Sequence, residues 1–142
     1  MKANNSKIKI VTNRAKLKQV SEDVPMACDN KLLISEMWQA LNETGGVGLA
    51  AIQIGYADRV IIINTDKCKM VVANPVLSEG KYPKQSKEGC LSVPNKQVKV
   101  ERFNHIVISG FDENWNPVKK KLKALSAFVA QHEVDHLNGI TI

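Results

Sequence analysis

The chain has 142 residues, which fits one domain spanning 1–142 with a single core. Its composition, 44% hydrophobic and 24% charged, argues against disorder. No run of about 18 consecutive apolar residues occurs, which excludes a membrane-spanning helix. Lys and Arg number 20 against 14 Asp and Glu, and the formal charge of +6 is compatible with work near nucleic acid or a ribosome without requiring it.

The first part of the chain contains one predicted helix. Residues Met1–Lys7 lead into a short strand-like run and not into the apolar core of a signal peptide. A helix is predicted over 31–44, where apolar side chains recur every four positions and Asp29 or Asn30 can serve as the N-cap. Gly45, which tolerates a left-handed backbone, follows as a stop signal.

The remaining elements are strands followed by a second helix. Branched residues and polar alternation predict strands at 60–64, 70–76, 97–103, 106–111 and 118–122. The lysines between 119 and 123 are interpreted as a solvated strand or turn. Apolar spacing predicts a helix over 125–138. This order predicts an α+β domain in which antiparallel strands pack around that second, central helix, with one further N-terminal helix.

The second predicted helix contains the strongest chemical signal, His132-Glu133-Val134-Asp135-His136. Two histidines four positions apart lie about 6 Å apart along a helix axis on nearly the same side, so both rings can reach one metal ion. Glu133 lies one position further round, where its carboxylate can contact a metal-bound water without being a ligand. Two buried histidines without a metal or hydrogen bonds would be costly, which favours a metal site over a chance pattern.

A metal site needs at least a third protein ligand, and the six residues after His136 offer none. Cys90, within Glu88-Gly89-Cys90-Leu91-Ser92, is the best candidate because a thiolate binds divalent cations strongly; taken alone, it would be a core thiol. Three protein ligands leave one position open, which is typical of catalytic sites. Cys28 and Cys68 are interpreted as structural. Three widely spaced cysteines indicate a reducing, cytoplasmic compartment.

A glycine-rich segment, Gly46-Val47-Gly48-Leu49-Ala50-Ala51-Ile52-Gln53, separates the first helix from the strands. Its spacing, with Asp66 downstream, is similar to a dinucleotide fingerprint. That fingerprint requires a strand before the glycines and a helix after them, and the order here is reversed, so no dinucleotide is expected. The segment can instead approach an extended peptide, and the amide of Gln53 can donate a hydrogen bond to a developing oxyanion.

These three segments resemble the three signature motifs of the peptide deformylase family, in the family's order and at similar separations, with the third motif running from Gln131 to His136. The resemblance covers about 10–140 and implies a hydrolase that removes the formyl group from N-formylmethionine of nascent polypeptides and releases formate. Two features depart from the family. Segment 13–18 keeps only the Leu and a basic residue of the usual pattern. The chain also ends at Ile142, where many bacterial members continue with a further helix.

The resemblance also implies the site residues. Cys90, His132 and His136 would be metal ligands, Glu133 the acid and base, and Gln53 with the Leu91 N–H the oxyanion donors. The substrate-binding residues would be Gly48 against the peptide backbone, Glu88 paired with Arg102, and a methionine pocket formed by Val47, Leu125, Phe128 and Val129.

The resemblance implies one divalent ion as cofactor. The family commonly uses Fe²⁺ in the cell, and Zn²⁺, Ni²⁺ or Co²⁺ can replace it. The expected partners are N-formylmethionyl peptides, and the ribosome stays open as a second partner. Neither a membrane nor a dinucleotide is expected, and the enzyme is expected to be a monomer. The expected location is the cytoplasm or an organelle. For a viral enzyme, it would be the cytoplasm of the host cell. Two other functions stay open: an HExxH endopeptidase, and an inactive binding module that retains the site.

Overall fold

The structure is a computed structural model that describes residues 8–142. Within these residues, three α-helices and five strands follow one another. They are α1 (Arg14–Leu17), α2 (Lys31–Thr44), β1 (Gly48–Ala50), β2 (Val60–Thr65), β3 (Cys68–Cys90), β4 (Val93–Phe111), β5 (Pro117–Lys123) and α3 (Leu125–Leu137), with a 3-10 helix at Ala51–Ile54. The strands form one sheet in the order β1-β2-β3-β4-β5, and every neighbouring pair is antiparallel. The predicted α+β class is confirmed.

The two long helices pack on opposite faces of the sheet. On β2, Ile61 and Ile63 belong to a buried cluster with α3, whereas Val60 and Ile62 belong to a cluster with α2. Successive side chains of a strand point to opposite faces, so a strand covered on both faces must be apolar at every position. This explains why 60–63 is an unbroken apolar run.

Strands β3 and β4 are longer than predicted and pair along most of their length. The prediction ended the first of them at Val76, but β3 continues to Cys90 through Ser78-Glu79-Gly80, which has the composition of a turn. The structure absorbs these residues in irregularities of register, between Ala73 and Val76 and between Ser78 and Lys81. A bulge adds residues to one strand without ending the ladder, which explains why turn-like composition did not mark a strand end.

The N-terminal elements differ most from the prediction. The predicted strand-like run is wrong for 8–13, which form no strand; Val11 N–H donates one hydrogen bond to the Gln53 carbonyl at 2.7 Å. Residues Met1–Lys7 lie outside the described residues. The short helix α1 was missed, and Asn13 caps it by accepting from the N–H groups of Ala15 and Lys16.

The helix limits were predicted closely. Helix α2 occupies 31–44 and ends at Gly45, whose φ of 71° is left-handed, as a glycine stop signal requires. Helix α3 ends at Leu137, one residue before the predicted end. Within the part of the chain described, no helix is both long and apolar enough to cross a bilayer.

Candidate metal centre and peptide cavity

Two elements that are distant in sequence bring three metal-binding side chains together. Cys90 is the last residue of β3, and His132 and His136 lie one turn apart on α3. One ligand atom of each lies within 4.8 Å of the others, and the Cys90 Sγ is 3.3 Å from the His136 Nε2. One sulfur and two imidazole nitrogens form a donor set that suits Fe²⁺ or Zn²⁺, so these residues fit a divalent ion of that type.

A chain of buried charges fixes the orientation of His132. Its Nδ1 lies 3.0 Å from the Glu88 carboxylate, which directs Nε2 towards the other two ligands. Arg102 donates to both carboxylate oxygens of Glu88, at 3.0 and 2.8 Å, and also to Asp135 at 2.6 Å. Burial alone would raise the pKa of Glu88, but the hydrogen bonds from His132 and Arg102 lower it to about 2. Arg102 is therefore the basic partner of Glu88 that the resemblance implied.

Glu133 lies beside the ligands in a nearly dry environment. Its side chain is buried, and burial raises its pKa to about 7, where a carboxyl group exchanges protons efficiently at neutral pH. Within the described residues its Oε1 has no hydrogen-bond partner. Gly48 packs directly against it, because a Cβ at Gly48 would contact Val129 and lie 2.8 Å from the Glu133 Oε2. Only a glycine lets β1 approach this closely.

The amide of Gln53 is held towards the same centre. Gln53 lies in the 3-10 helix and is almost fully buried. Its Oε1 accepts from the Ala50 N–H at 2.9 Å, which directs Nε2 to the Ser92 hydroxyl at 3.2 Å and to the Cys90 sulfur at 3.6 Å. An anchored oxygen therefore leaves the donor side of this amide facing the metal-binding residues.

A cavity of about 730 Å³ opens beside these groups. It is lined by Gln53, Cys90, Leu91, His132 and Glu133. All six predicted substrate-binding residues line it as well, namely Val47, Gly48, Glu88, Leu125, Phe128 and Val129. Val47 and Leu125 are about half exposed, so they lie towards the opening. His136 does not line this cavity and faces a smaller one of about 110 Å³ behind the centre.

Sequence reasoning missed two contacts and interpreted two cysteines without structural context. Ser92 bonds Gln53 and Asp135 bonds Arg102; both lie inside the quoted motifs, but nothing in the sequence identified their partners. Cys68 is buried in the cluster beneath α3, whereas Cys28 is exposed, so burial supports a structural role only for Cys68.

Comparison with known proteins decides the family. The sequence profile described as polypeptide deformylase matches residues 7–142. The chain belongs to the polypeptide deformylase family. It is 43% identical over 117 residues to the peptide deformylase of Aquifex aeolicus, covering 78% of this chain and 69% of that one. Deformylases remove the N-formyl group from nascent peptides, and this is the activity of the chain.

Solved deformylase structures share the whole fold. The structure of PDF from the Vibrio parahaemolyticus bacteriophage VP16T, in complex with actinonin, matches with a TM-score of 0.91 at 40% identity, covering 94% of this chain and 99% of that one. The peptide deformylase of Thermotoga maritima matches with a TM-score of 0.89 at 31% identity, covering 96% and 95%. Deformylases bind a divalent metal, and Cys90, His132 and His136 form such a site here. The substrate is a peptide.

Proposed function

We propose that the chain hydrolyses the formyl amide of N-formylmethionyl peptides at the centre formed by Cys90, His132 and His136, with Fe²⁺ as the ion in the cell and Zn²⁺, Ni²⁺ or Co²⁺ as substitutes. The observation that carries the proposal is the meeting of these three donors beside a buried Glu133 at one wall of a peptide-sized cavity. Three protein donors leave a coordination position for water or substrate.

Each polar group then has one task in the reaction. A divalent ion held by Cys90, His132 and His136 would supply Lewis acidity at this point. Glu133 accepts a proton from the attacking water, whose oxygen bonds to the formyl carbon. When the C–N bond breaks, Glu133 returns that proton to the leaving amine, and formate departs. Its pKa of about 7 suits both directions of transfer at neutral pH.

Two further donors stabilise the charge that develops on the formyl oxygen. The amide of Gln53 is held in place through its Oε1 and needs only to exchange its contact with Ser92 for one with the oxyanion. The N–H of Leu91, in the residue after Cys90, is the second donor. Donors fixed before the reaction cost little reorganisation, and each such group typically contributes about 10²–10³ to the rate.

The cavity walls select the substrate. Val47, Leu125, Phe128 and Val129 supply apolar surface for the methionine side chain. Gly48 allows the peptide backbone to lie against β1 near Glu133. Glu88, tied to Arg102 and His132, supports the ligand geometry and lines the cavity.

The coarser features fit the same proposal. Residues 1–142 act as a single catalytic domain in which α3, the HExxH helix, is the central metal-carrying element. The enzyme works as a monomer in the cytoplasm, or in an organelle, where a ribosome presents the formylated chain.

One assay separates this function from the endopeptidase and the inactive binding module. Anaerobically purified protein is incubated with formyl-Met-Ala-Ser, and formate and peptide fragments are both measured. Formate release without chain cleavage is the expected result. Cleavage of Met-Ala or Ala-Ser bonds would establish a peptidase. The absence of both formate and fragments would favour a binding module.

Metal analysis tests the ligand set. Cys90→Ala removes the only sulfur among the three donors, so we expect it to lose bound metal and turnover. Cys28→Ala, at an exposed cysteine, serves as the matched control and should retain both. Stoichiometric metal in Cys90→Ala would contradict the assignment of this thiolate as a ligand.

A further inference from the structure

The positive charge of the chain is concentrated in three strands. Residues 68–123, which contain β3, β4 and β5, hold eleven of the 20 Lys and Arg but only five of the 14 Asp and Glu. The remainder of the chain has nine residues of each sign. The whole surplus of +6 therefore lies on one part of the molecule, and a concentrated charge attracts polyanions more strongly than a dispersed one.

Three of these lysines form a row on the edge strand β5. Lys119, Lys121 and Lys123 alternate with Val118, Lys120 and Leu122, so the three share one face of the sheet, and all three are exposed. Leu122 points to the opposite face, where it joins the cluster beneath α3. Alternate residues of a strand are about 6.6 Å apart, so the row extends about 13 Å.

No acidic residue lies directly opposite the three lysines on the neighbouring strands. The residues directly opposite the three lysines on β4 are Ser109, Val107 and His105. Opposite those on β3 are Val76, Ser78 and Lys81. Directly opposite residues of antiparallel strands share a face, so Lys123, His105 and Lys81 form a second basic line across the sheet.

Exposed aromatic rings lie beside the same face. Tyr82 is 63% exposed and contacts the His105 ring edge-on, at 4.9 Å between ring centroids. Phe103 is 44% exposed, lies two positions before His105 on β4, and packs over Gly80. Basic residues interleaved with exposed rings are the combination that binds single-stranded nucleic acid, because phosphates pair with the lysines and bases stack on the rings.

The row also ends at the opening of the cavity. Lys123 is the last residue of β5, and Leu125, two residues later, lines the cavity. Lys87 and Lys96 line the cavity as well. A polyanion held at the Lys123 end of the row would therefore lie close to the Leu125 wall of the cavity.

We propose that this surface, the β5 face formed by Lys81, Tyr82, His105, Lys119, Lys121 and Lys123, binds single-stranded or looped RNA and holds the enzyme beside it. The choice of RNA over other polyanions rests partly on the proposed function, because nascent peptides are made on RNA-rich particles. The rings favour RNA over a lipid surface, which would pair with the lysines but offers no bases to stack.

Fluorescence anisotropy with a labelled uridine-rich RNA of about 16 nucleotides tests the proposal. The charge-reversal variant K119E/K121E/K123E is compared with K16E/K18E/K31E, which changes three exposed lysines elsewhere and alters the net charge equally. We expect the first variant to bind at least tenfold more weakly and the second to bind close to the parent protein. The slope of log K against log salt, measured from about 50 to 200 mM, should fall by about 2 in the first variant only.

A second comparison tests the rings. Tyr82→Ala should weaken RNA binding about fivefold, the loss of one stacked base, whereas Tyr56→Ala, at another exposed tyrosine, should not. Equal losses in the two charge-reversal variants would overturn the proposal, as would binding to phosphatidylglycerol vesicles but not to RNA. Formate release from free formyl-Met-Ala-Ser, measured in parallel, should be unchanged in both charge-reversal variants, so a failure of RNA binding is distinguishable from a failure of catalysis.

Discussion

Helices α2 and α3 are similar in length and cover opposite faces of one sheet, yet they bury different chemistry. The buried residues of α2 are all apolar. Half of those of α3 are polar, namely Ser126, Gln131, His132, Glu133 and His136. Burying polar groups is costly unless they are paired, and within the described residues the Glu133 Oε1 and the His136 Nδ1 have no hydrogen-bond partner. Helix α2 buries only apolar side chains, whereas α3 combines apolar packing on the sheet with reactive groups in a buried environment.

The largest expected effect comes from the buried carboxylate of α3. Glu133→Gln keeps the size of the side chain but cannot take or return a proton, so formate release should fall by about 10²–10⁴. Metal analysis should find the ion retained, because Glu133 is not among the three donors. Glu43→Gln, on the exposed face of α2, is the matched control and should keep full activity. Unchanged turnover in Glu133→Gln would reject this residue as the acid and base.

A core truncation in α2 should show the opposite pattern. Met37 is fully buried, and Met37→Ala is expected to lower the free energy of unfolding by about 2–5 kcal/mol by leaving a cavity. Turnover per folded molecule should be retained, because Met37 does not line the cavity. Urea unfolding measures the first quantity. Leu32→Ala, at a position that is 75% exposed, should change the unfolding free energy by no more than about 0.5 kcal/mol.

Glycine positions sharpen the comparison, because one of them touches α3 directly. Gly48→Ala places a methyl group against Val129 and Glu133, which must shift, so we expect a loss of about 1–3 kcal/mol in stability together with reduced turnover. Gly89→Ala introduces the same methyl group with its nearest neighbour at 3.5 Å, an ordinary contact. Similar losses in both variants would show that the approach of β1 to Glu133 is not the cause.

The smallest effect concerns two cysteines outside the metal centre. Cys68 is buried in the cluster beneath α3, and burial raises the pKa of its thiol. At pH 8 it therefore carries less of the reactive thiolate than an exposed cysteine does. Cys28 is exposed. Iodoacetamide labelling of the native protein, followed by peptide mapping, should modify Cys28 well before Cys68. Equal rates would contradict the close packing of α3 on the sheet.

The parts of the fold that the sequence predicted were those with a regular apolar spacing. Helix α2 shows it at Leu33, Met37 and Leu41, and the limits of both long helices were close to those observed. The bulged course of β3 was not predictable, because residues such as Gly80 satisfy a turn and a bulge equally well. Helix α1 was missed because four residues are too few to show a period.

The sequence predicted the metal-binding residues in more detail than the course of the strands, because metal ligands have recognisable residue types and spacings. Ligand types at fixed helical spacing identify His132 and His136 from local sequence alone, whereas Cys90 needed its neighbouring motif. Contacts across the chain, such as Arg102 with Asp135 or Gln53 with Ser92, depend on how β3, β4 and the 3-10 helix meet. Local spacing contains no information about such meetings.

The separation of the metal donors along the chain gives the ion a second consequence. Cys90 and His136 are 46 residues apart, so a cation bound by both would act as a reversible cross-link between the end of β3 and the last helix. Because unfolded chains do not hold these donors together, each rise in free cation concentration shifts the folding equilibrium towards the native state. The supply of the ion would thereby affect the stability of the folded protein as well as the rate of formate release. A chelator would lower the temperature at which the protein unfolds.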